Sequence, residues 1–300
     1  MVLAFQCPHC ACAHSIDASR AGSTLQCRQC GQAIQAPGSP PAAPHTMAPG
    51  GSVTLLDERI DMPVLTPPPT RILNQITRHI DRTIGYSPMV FHEIISTDIH
   101  LDLHIVPPHE GPPTADHPYG RNFYTIVTSG MSARPVPAPP SSVVSASDAC
   151  ECQRHFELMI ALPGDWPGLR HDGTFVEDSM SEEDNWWPIR WLKMLARLPH
   201  ENDMWVGAGC TVPNHPPEQS YAPHTGFSCM LLMPSALHPA SRRLVAHDDL
   251  TIEFLALWPL YPEEMALKLQ RGLGALRDAF AEAHITDLVD NRRRNVARSA

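Results

Sequence analysis

The sequence predicts an α+β fold in which a mostly antiparallel sheet packs with helices, preceded by a small cysteine-rich module. Apolar residues recur at three- and four-residue spacing in three segments, near the start, the middle and the end of the longer part of the chain. Between them lie short apolar runs rich in β-branched and aromatic residues, which are typical of strands. Strands with helices grouped at the start, the middle and the end suggest α+β with a mostly antiparallel sheet.

Proline marks the boundary between the module and the main domain. The 300-residue chain contains 32 prolines, about double the usual share of ~5%. Residues 36–70 combine proline with Ala, Gly and Thr and have too few apolar side chains to form a core. We therefore predict three parts: the small module at 1–35, a flexible Pro-rich linker at 36–70 and one domain at 71–300.

Composition limits the classes of partner and the compartment. The formal net charge is -10 and the pI is about 5.9, whereas proteins that bind the phosphates of nucleic acid have basic surfaces. The chain has no run near the ~18 apolar residues of a membrane helix, and its start lacks the regions of a signal peptide. We expect a cytoplasmic protein that does not bind membranes or nucleic acid, with its nine cysteines as ligands or buried thiols.

Four cysteines in the first 35 residues have the spacing of a zinc ribbon. Two C-x2-C pairs are separated by sixteen residues, and the four thiolates are Cys7, Cys10, Cys27 and Cys30. Such a set closes a tetrahedron around one structural Zn²⁺, which would supply much of the folding free energy of so short a segment. Ala11 replaces the usual glycine after the first pair, so the neighbouring Cys12, His9 and His14 stay open as ligands. A redox C-x-x-C pair is the alternative.

The elements of the main domain follow from periodicity. Isoleucines four apart predict a helix over residues 71–84. Alternation from Ile99 to Ile105 predicts a half-buried strand with one polar face. Four more β-prone segments lie at 123–128, 156–162, 226–233 and 250–258. A last helix is expected from Pro262 to about Ala283, with a buried side that includes Leu269, Leu276 and Phe280.

Residues 187–214 combine a helix with a polar turn. Pro188 suits the first helical turn, where its missing N–H needs no partner, and Pro199 predicts the end of the helix. The basic residues of this helix predict a solvated face. We interpret the loop after it as a recognition loop with an aromatic anchor for a partner protein. Its candidate contact residues are His200, Glu201, Asp203 and Trp205. The alternative is that these polar groups bond only to local backbone.

The sequence contains no complete catalytic motif. The segment at 92–96 resembles the zinc-protease helix motif but has serine in place of its second histidine. His100, Asp102 and His104 share one face of a predicted strand, so a metal-dependent enzyme that uses this His/Asp cluster is an alternative function. A polar, solvent-facing stripe explains the same residues without a metal. We therefore expect a protein without enzyme activity.

Distinctive sequence blocks follow one another from about Thr83 to Arg294. They are HLDLHIVPP at 100–108, FYTIVTSGMS at 123–132, FELMIALPGDW at 156–166, WPIRWLKMLARLPHENDMWVGAGCTVPN at 187–214, LTIEFLALWPLYPEEM at 250–265 and DNRRRNV at 290–296. Their content and order resemble the Suppressor of fused family. Any one block would be weak evidence, whereas several in one order are hard to produce by chance.

The resemblance implies a non-enzymatic domain that binds a protein. The animal member of the family is similar to a clamp that sequesters a transcription factor by taking up an extended peptide as an added strand. Ile126 stands here where that protein presents an aromatic side chain, so its peptide contacts do not carry over. Resemblance to bacterial relatives implies an immunity protein that neutralises a toxin domain. A regulator that acts on transcription through the zinc ribbon is the remaining alternative.

Overall fold

The structure is a computed structural model that describes residues 2–6, 13–17, 22–27, 30–35, 70–93, 99–115, 117–139, 154–176, 179, 182–246 and 250–298. The chain divides into two compact units, Met1–Ile60 and Asp61–Ala300. This boundary falls within the predicted linker at 36–70, of which only Thr70 lies among the described residues. The linker and the three-part division therefore remain predictions.

The first unit contains two short β-hairpins. Its strands are β1 (Val2–Gln6), β2 (Ala13–Asp17), β3 (Thr24–Gln26) and β4 (Ala33–Gln35). β1 pairs with β2 and β3 with β4, both antiparallel. Cys27 and Ile34 are buried together, with Leu25 packed against them. Two-stranded sheets with so little apolar surface are marginal in water without a further constraint.

The second unit is built on one eight-stranded sheet. Its strands are β5 (Met89–Phe91), β6 (Asp102–Val106), β7 (Phe123–Ser129), β8 (Phe156–Pro163), β9 (Thr211–Pro213), β10 (Cys229–Met233), β11 (Arg243–Val245) and β12 (Thr251–Leu260). The order across the sheet is β5-β6-β7-β8-β12-β10-β9, and β11 pairs with the start of β12. Only the pair of β8 with β12 is parallel among the described strands. This confirms the predicted α+β class with a mostly antiparallel sheet.

Helices pack on both faces of this sheet. They are α1 (Thr70–Thr83), α2 (Glu183–Glu201) and α3 (Pro262–Glu282). On one face, α2 buries Trp187 and Leu192 against side chains of β6, β7 and β8. On the other face, Ile80 of α1 and Leu276 of α3 belong to the second apolar cluster. No helix among the described residues combines the length and apolar character needed to cross a bilayer.

The polar residues of β6 are buried, not half-exposed. All five residues of this strand are buried, including Asp102 and His104. The predicted solvent-facing polar stripe is therefore wrong. The alternation of apolar and polar residues shows which side chains share a face of the strand, but not what covers that face. In the structure an apolar cluster that includes Ile84 and Val106 covers the face on which polar residues were predicted to meet solvent.

The predicted ends of α2 are wrong on both sides. The helix begins at Glu183, with two acidic residues in its first turn, where they interact favourably with the helix dipole. Pro188 therefore lies in the second turn. Beyond Pro199, the amide of Asn202 still donates to Leu198 O and that of Met204 to Pro199 O. Both prolines are buried, so packing of the helix outweighs the loss of their N–H donors.

Gly272 interrupts α3. Its φ of 85° and ψ of 166° are not helical, and a positive φ of this kind favours glycine. The residues after it, Leu276 and Phe280, are buried as periodicity predicts, but Leu269 before it is 68% exposed. The change of backbone direction breaks the apolar stripe that the periodicity predicts, so the prediction that Leu269 is buried is wrong.

Arg293 ties the C-terminal segment to the start of α3. Its Nη1 and Nη2 donate to the two carboxylate oxygens of the fully buried Glu264 at 2.6 and 2.5 Å. Nη2 also donates to Pro259 O at 2.8 Å. Its guanidinium carbon lies 4.8 to 5.4 Å from the ring centroids of Phe227, Tyr261 and Phe280. These contacts join the segments 250–265 and 290–296 in the fold.

Candidate functional site

The four residues predicted to form a recognition loop do not share one exposed surface. His200 and Glu201 lie in the last turn of α2, and Asp203 follows with a φ of +49°. Nε2 of the half-buried His200 lies 3.2 Å from Met131 O. Trp205 packs against the apolar cluster under α2. Of the four, only Glu201 and Asp203 are exposed, and a role of these residues in binding remains a prediction.

The turn after β7 is held by a buried carboxylate. Glu157 accepts hydrogen bonds from the amides of Gly130 (2.9 Å) and Ser132 (3.1 Å), and from the hydroxyls of Ser132 and Thr128 (both 2.6 Å). The amide of Leu158 donates to Thr128 Oγ1, so the Thr128 hydroxyl hydrogen points to the carboxylate. Burial raises the pKa of Glu157, and these hydrogen bonds oppose that rise. The network fixes the backbone of the turn.

β5 is an edge strand with apolar side chains at the surface. Among the described strands it pairs only with β6, and its residues Met89 and Phe91 are each 37% exposed on the same side of the strand. Tyr86, three residues before Met89, is 73% exposed. The Phe91 ring contacts Phe175 with 5.5 Å between centroids, and Phe175 contacts Trp186 at 5.9 Å. We call these five residues the β5 surface.

The charges beside the β5 surface are paired. Lys193 Nζ of α2 lies 3.1 Å from Oε1 of Glu93, and Arg197 donates to Oε2 of the same carboxylate. Burial opposes the ionisation of Glu93, but the hydrogen bonds from Arg197 and Lys193 outweigh it and lower its pKa. Lys193 Nζ also lies 5.7 Å from the centroid of the Phe91 ring. The solvated basic face predicted for α2 is therefore wrong at these two positions.

The opposite edge strand offers less to another chain. β9 ends at Pro213, which has no amide to donate to an added strand. Lys268 Nζ donates to Thr211 Oγ1 at 3.1 Å, and the amide of Asn214 donates to Ser228 O at 2.7 Å. Prolines and charged side chains protect sheet edges from pairing. The two edges therefore differ in kind: β5 exposes apolar side chains, whereas β9 ends in a proline and its Thr211 hydroxyl is bound by Lys268.

The structure rearranges the predicted His/Asp cluster. His104 Nε2 makes a hydrogen bond with Ser129 Oγ (3.0 Å), and burial lowers the pKa of His104. His100 stays with Asp102, at 3.1 Å between Nε2 and Oδ1. His92, from the loop after β5, takes the third position, with Nδ1 3.1 Å from Asp102 Oδ2. Sequence reasoning considered His92 only as part of an incomplete helical motif and missed this pairing, which follows from β5 and β6 being neighbours.

Only one of the two cysteine pairs lies among the described residues. Cys27 is buried and Cys30 is exposed, while Cys7 and Cys10 lie outside the described residues. The amide of Gly31 donates to Cys27 O at 2.9 Å, and Gly31 has a φ of 70°. A tight turn of this kind is compatible with a C-x2-C knuckle. The ligand assignment itself remains a prediction.

One of the alternative ligands named from the sequence lies beside this pair. His14 is buried, and its Nε2 is 3.3 Å from Cys27 Sγ. Imidazole nitrogen and thiolate sulfur are both zinc ligands, and an imidazole N–H also donates to a ligating thiolate. This distance is compatible with two roles of His14: a zinc ligand beside Cys27, or a hydrogen-bond partner of the Cys27 thiolate.

Comparison with known proteins gave one family and several solved structures. The model of the family described as Suppressor of fused protein (SUFU) matches residues 97–294. A search of curated proteins gave no match.

The solved structures are remote in sequence. A SUFU homologue from Neisseria gonorrhoeae FA 1090 is 14% identical, with 74% of this chain and 95% of that chain covered and a TM-score of 0.48. For the Sufu–Fu complex the identity is 13%, the coverage 78% and 94%, and the TM-score 0.48. For Drosophila Suppressor of Fused the identity is 12% and the TM-score 0.47; 78% of this chain matches 52% of that protein, about half of its length.

Proposed function

This chain belongs to the Suppressor of fused family, and from that premise we propose that its main domain is a non-enzymatic module that binds and sequesters a partner protein. The observation that carries the proposal is the β5 surface. An edge strand has backbone N–H and C=O groups on its outer side, and an extended segment of another chain can pair with them. The apolar groups beside β5 add contact area that water would otherwise cover.

The arrangement of β5 specifies the kind of segment that fits. Met89 and Phe91 lie two residues apart, so both side chains stand on the same face of the sheet. An added strand would place every second side chain on that face, against these two residues and Phe175. The partner segment should therefore be extended, with apolar side chains at alternating positions.

The partner class follows from the family resemblance. We propose that the partner is a toxin domain and that this chain acts as a cytoplasmic immunity protein, because the resemblance to bacterial relatives implies that role. Masking of an exposed strand or tail of a toxin is a function that needs binding and no catalysis.

A binding experiment with matched variants tests the proposal. The partner is first captured from the native host with the full chain and identified. The double variant Tyr86→Ala, Met89→Lys alters two exposed side chains of the β5 surface, whereas Val245→Lys alters an apolar side chain that is 67% exposed on β11. We expect the β5 variant to lose at least about tenfold in affinity, or about 1.4 kcal/mol, which is more than most interface residues contribute.

The same assay separates the β5 surface from the end of α2. Glu201→Ala with Asp203→Ala removes the two exposed members of the predicted recognition loop and leaves the contact of the half-buried His200 with Met131 O in place. Equal affinity of the β5 variant and the wild type, together with weakened binding by the α2 variant, would move the binding site to the α2 end. Equal weakening by Val245→Lys would show that the effect is not local.

We further propose that Cys7, Cys10, Cys27 and Cys30 hold one structural Zn²⁺. The turn at Cys27, Cys30 and Gly31 supports this ligand set. Metal analysis of the purified chain should give one tightly bound zinc, and Cys27→Ser with Cys30→Ser should lose it. Retention of stoichiometric zinc by that variant would remove these two ligands. His14→Ala then tells whether this histidine is a ligand, since loss of a ligand weakens zinc binding far more than loss of a hydrogen bond to a ligand.

A further inference from the structure

Three polar side chains converge where the loop after β5 meets the start of β6. Nδ1 of His92 lies 3.1 Å from Oδ2 of Asp102, and Nε2 of His100 lies 3.1 Å from Oδ1 of the same carboxylate. Each residue offers one ligand atom, and the three atoms lie within 4.8 Å of one another. His92 follows β5, whereas His100 and Asp102 lie at the start of β6. The cluster therefore depends on the pairing of these two strands and not on a local motif.

These separations suit a metal ion. In a tetrahedral site with ligand bonds of roughly 2.0–2.2 Å, neighbouring ligand atoms lie about 3.3–3.6 Å apart. The three ligand atoms, which lie within 4.8 Å of one another, would move closer together to place both nitrogens and one carboxylate oxygen around a common centre. The geometry points to a binding site for one divalent transition-metal ion at His92, His100 and Asp102, independent of the cysteine module and of partner binding.

The donor set decides the class of ion. Two imidazole nitrogens and one carboxylate oxygen suit Zn²⁺, Ni²⁺ or Fe²⁺, whereas Mg²⁺ and Ca²⁺ prefer oxygen ligands alone. Three protein ligands leave at least one coordination position to water or to another molecule. His92 is the most accessible member, with 69% of its side chain exposed, so the site opens to solvent on that side.

Asp102 supplies a second, independent observation. Its side chain is only 9% exposed, and Oδ1 is buried without a hydrogen bond although His100 lies close to it. A buried carboxylate is costly unless a positive charge or hydrogen bonds compensate it. Nε2 of the neighbouring His104 makes a hydrogen bond with Ser129 Oγ and not with Asp102. A dication bound between His92, His100 and Asp102 would supply a positive charge to this carboxylate.

A simple ion pair is the competing explanation, and the chain contains a matched example of one. His224 Nε2 lies 3.2 Å from Asp184 Oδ2, and the histidine side chain is 80% exposed. Among the described residues this pair has no third ligand, since the only group of three that could hold a metal is His92, His100 and Asp102. His224→Ala is therefore a control for loss of an exposed histidine paired with a carboxylate.

Nickel binding to the full chain tests the inference. The untagged, zinc-loaded chain is titrated with Ni²⁺ by calorimetry, and the same is done with His92→Ala, His100→Ala and His224→Ala. We expect one Ni²⁺ per wild-type chain, at least about tenfold weaker binding in the first two variants, as for loss of a metal ligand, and unchanged binding in His224→Ala. Thermal unfolding without nickel checks that each variant is folded.

Two results would overturn the inference. One is equal nickel affinity of the wild type and His92→Ala, because His92 is exposed and its removal should leave the fold intact. The other is nickel binding that survives in both histidine variants and disappears in Cys27→Ser with Cys30→Ser, since the ion would then belong to the cysteine module. Co²⁺ gives a second measurement, because a site with nitrogen and oxygen ligands lacks the thiolate-to-cobalt charge-transfer bands of a cysteine site.

Discussion

The contacts of Arg293 that hold residues 290–296 to the start of α3, called here the C-terminal closure, are buried, whereas the β5 edge of the same domain is exposed. At the closure, Arg293 is enclosed by Glu264 and three aromatic rings, and its side chain is 8% exposed in the ion pair. At β5, Met89 and Tyr86 present apolar surface to solvent, next to an unpaired strand edge among the described strands. We therefore expect the free energy of unfolding to depend on the C-terminal closure and the binding of the partner protein to depend on the β5 edge.

The largest effect is expected from removal of the buried guanidinium. Arg293→Ala leaves the Glu264 carboxylate buried without its partner, and breaking a buried pair in this way costs about 3–5 kcal/mol. Arg298→Ala removes an arginine that is 74% exposed and paired with Glu263, so it should cost less than about 1 kcal/mol. Urea unfolding measures both. A similar loss of unfolding free energy in the two variants would contradict the claim that the C-terminal closure stabilises the domain.

An intermediate effect is expected from His238 in the loop after β10. Burial, with His117 and Arg121 nearby, lowers the pKa of His238 to about 3, and its Nε2 makes a hydrogen bond with Thr125 Oγ1. The unfolded state takes up this proton as the pH falls below about 6.5, whereas the folded state does not. The stabilisation is therefore complete above about pH 6.5 and declines as the pH falls towards 3.

The pH dependence gives a number that can be measured. Between pH 7 and pH 5 the free energy of unfolding should fall by about 2 kcal/mol from this histidine, at about 1.4 kcal/mol per pH unit. His238→Asn should remove that part of the decline, although His79 and His104, whose pKa values burial also lowers, still contribute. Unchanged pH dependence in the variant would show that His238 is not kept neutral in the folded state.

The smallest effect on stability is expected at the β5 surface. Met89→Lys replaces a side chain that is 37% exposed on an edge strand, and surface substitutions of this kind change the free energy of unfolding by about 0.5 kcal/mol or less. The same change should weaken partner binding. A destabilisation near that of Arg293→Ala would mean that Met89 is part of the core and not of a binding surface.

Much of the fold could be predicted from periodicity. The helix at 71–84, the segments that form β7, β8, β10 and β12, and the last helix all carry regular apolar spacing, and each appears within a few residues of its predicted bounds. The ends of α2 could not be predicted, because the packing of Pro188 and Pro199 in the core overrides the local rule for proline.

The candidate site was much harder to predict. β5 has only three residues, which is too short for a periodic signal, and Phe175 and Trp186 reach the β5 surface from distant parts of the sequence. The cluster of His92 with Asp102 depends on the pairing of β5 with β6, which no local pattern specifies. His200 lies near a backbone oxygen, but it is that of the distant Met131 and not the local backbone that the alternative named.

Amide hydrogen exchange of the main domain, alone and in complex with the captured partner, tests the central claim most directly. If an extended partner segment adds to the sheet at β5, amides of Met89–Phe91 should exchange more slowly in the complex, because outward N–H groups gain hydrogen bonds. The amides of Thr211 and Val212 in β9 should be unchanged. Unchanged exchange in β5, with protection confined to β9 or to residues 201–205, would contradict the account.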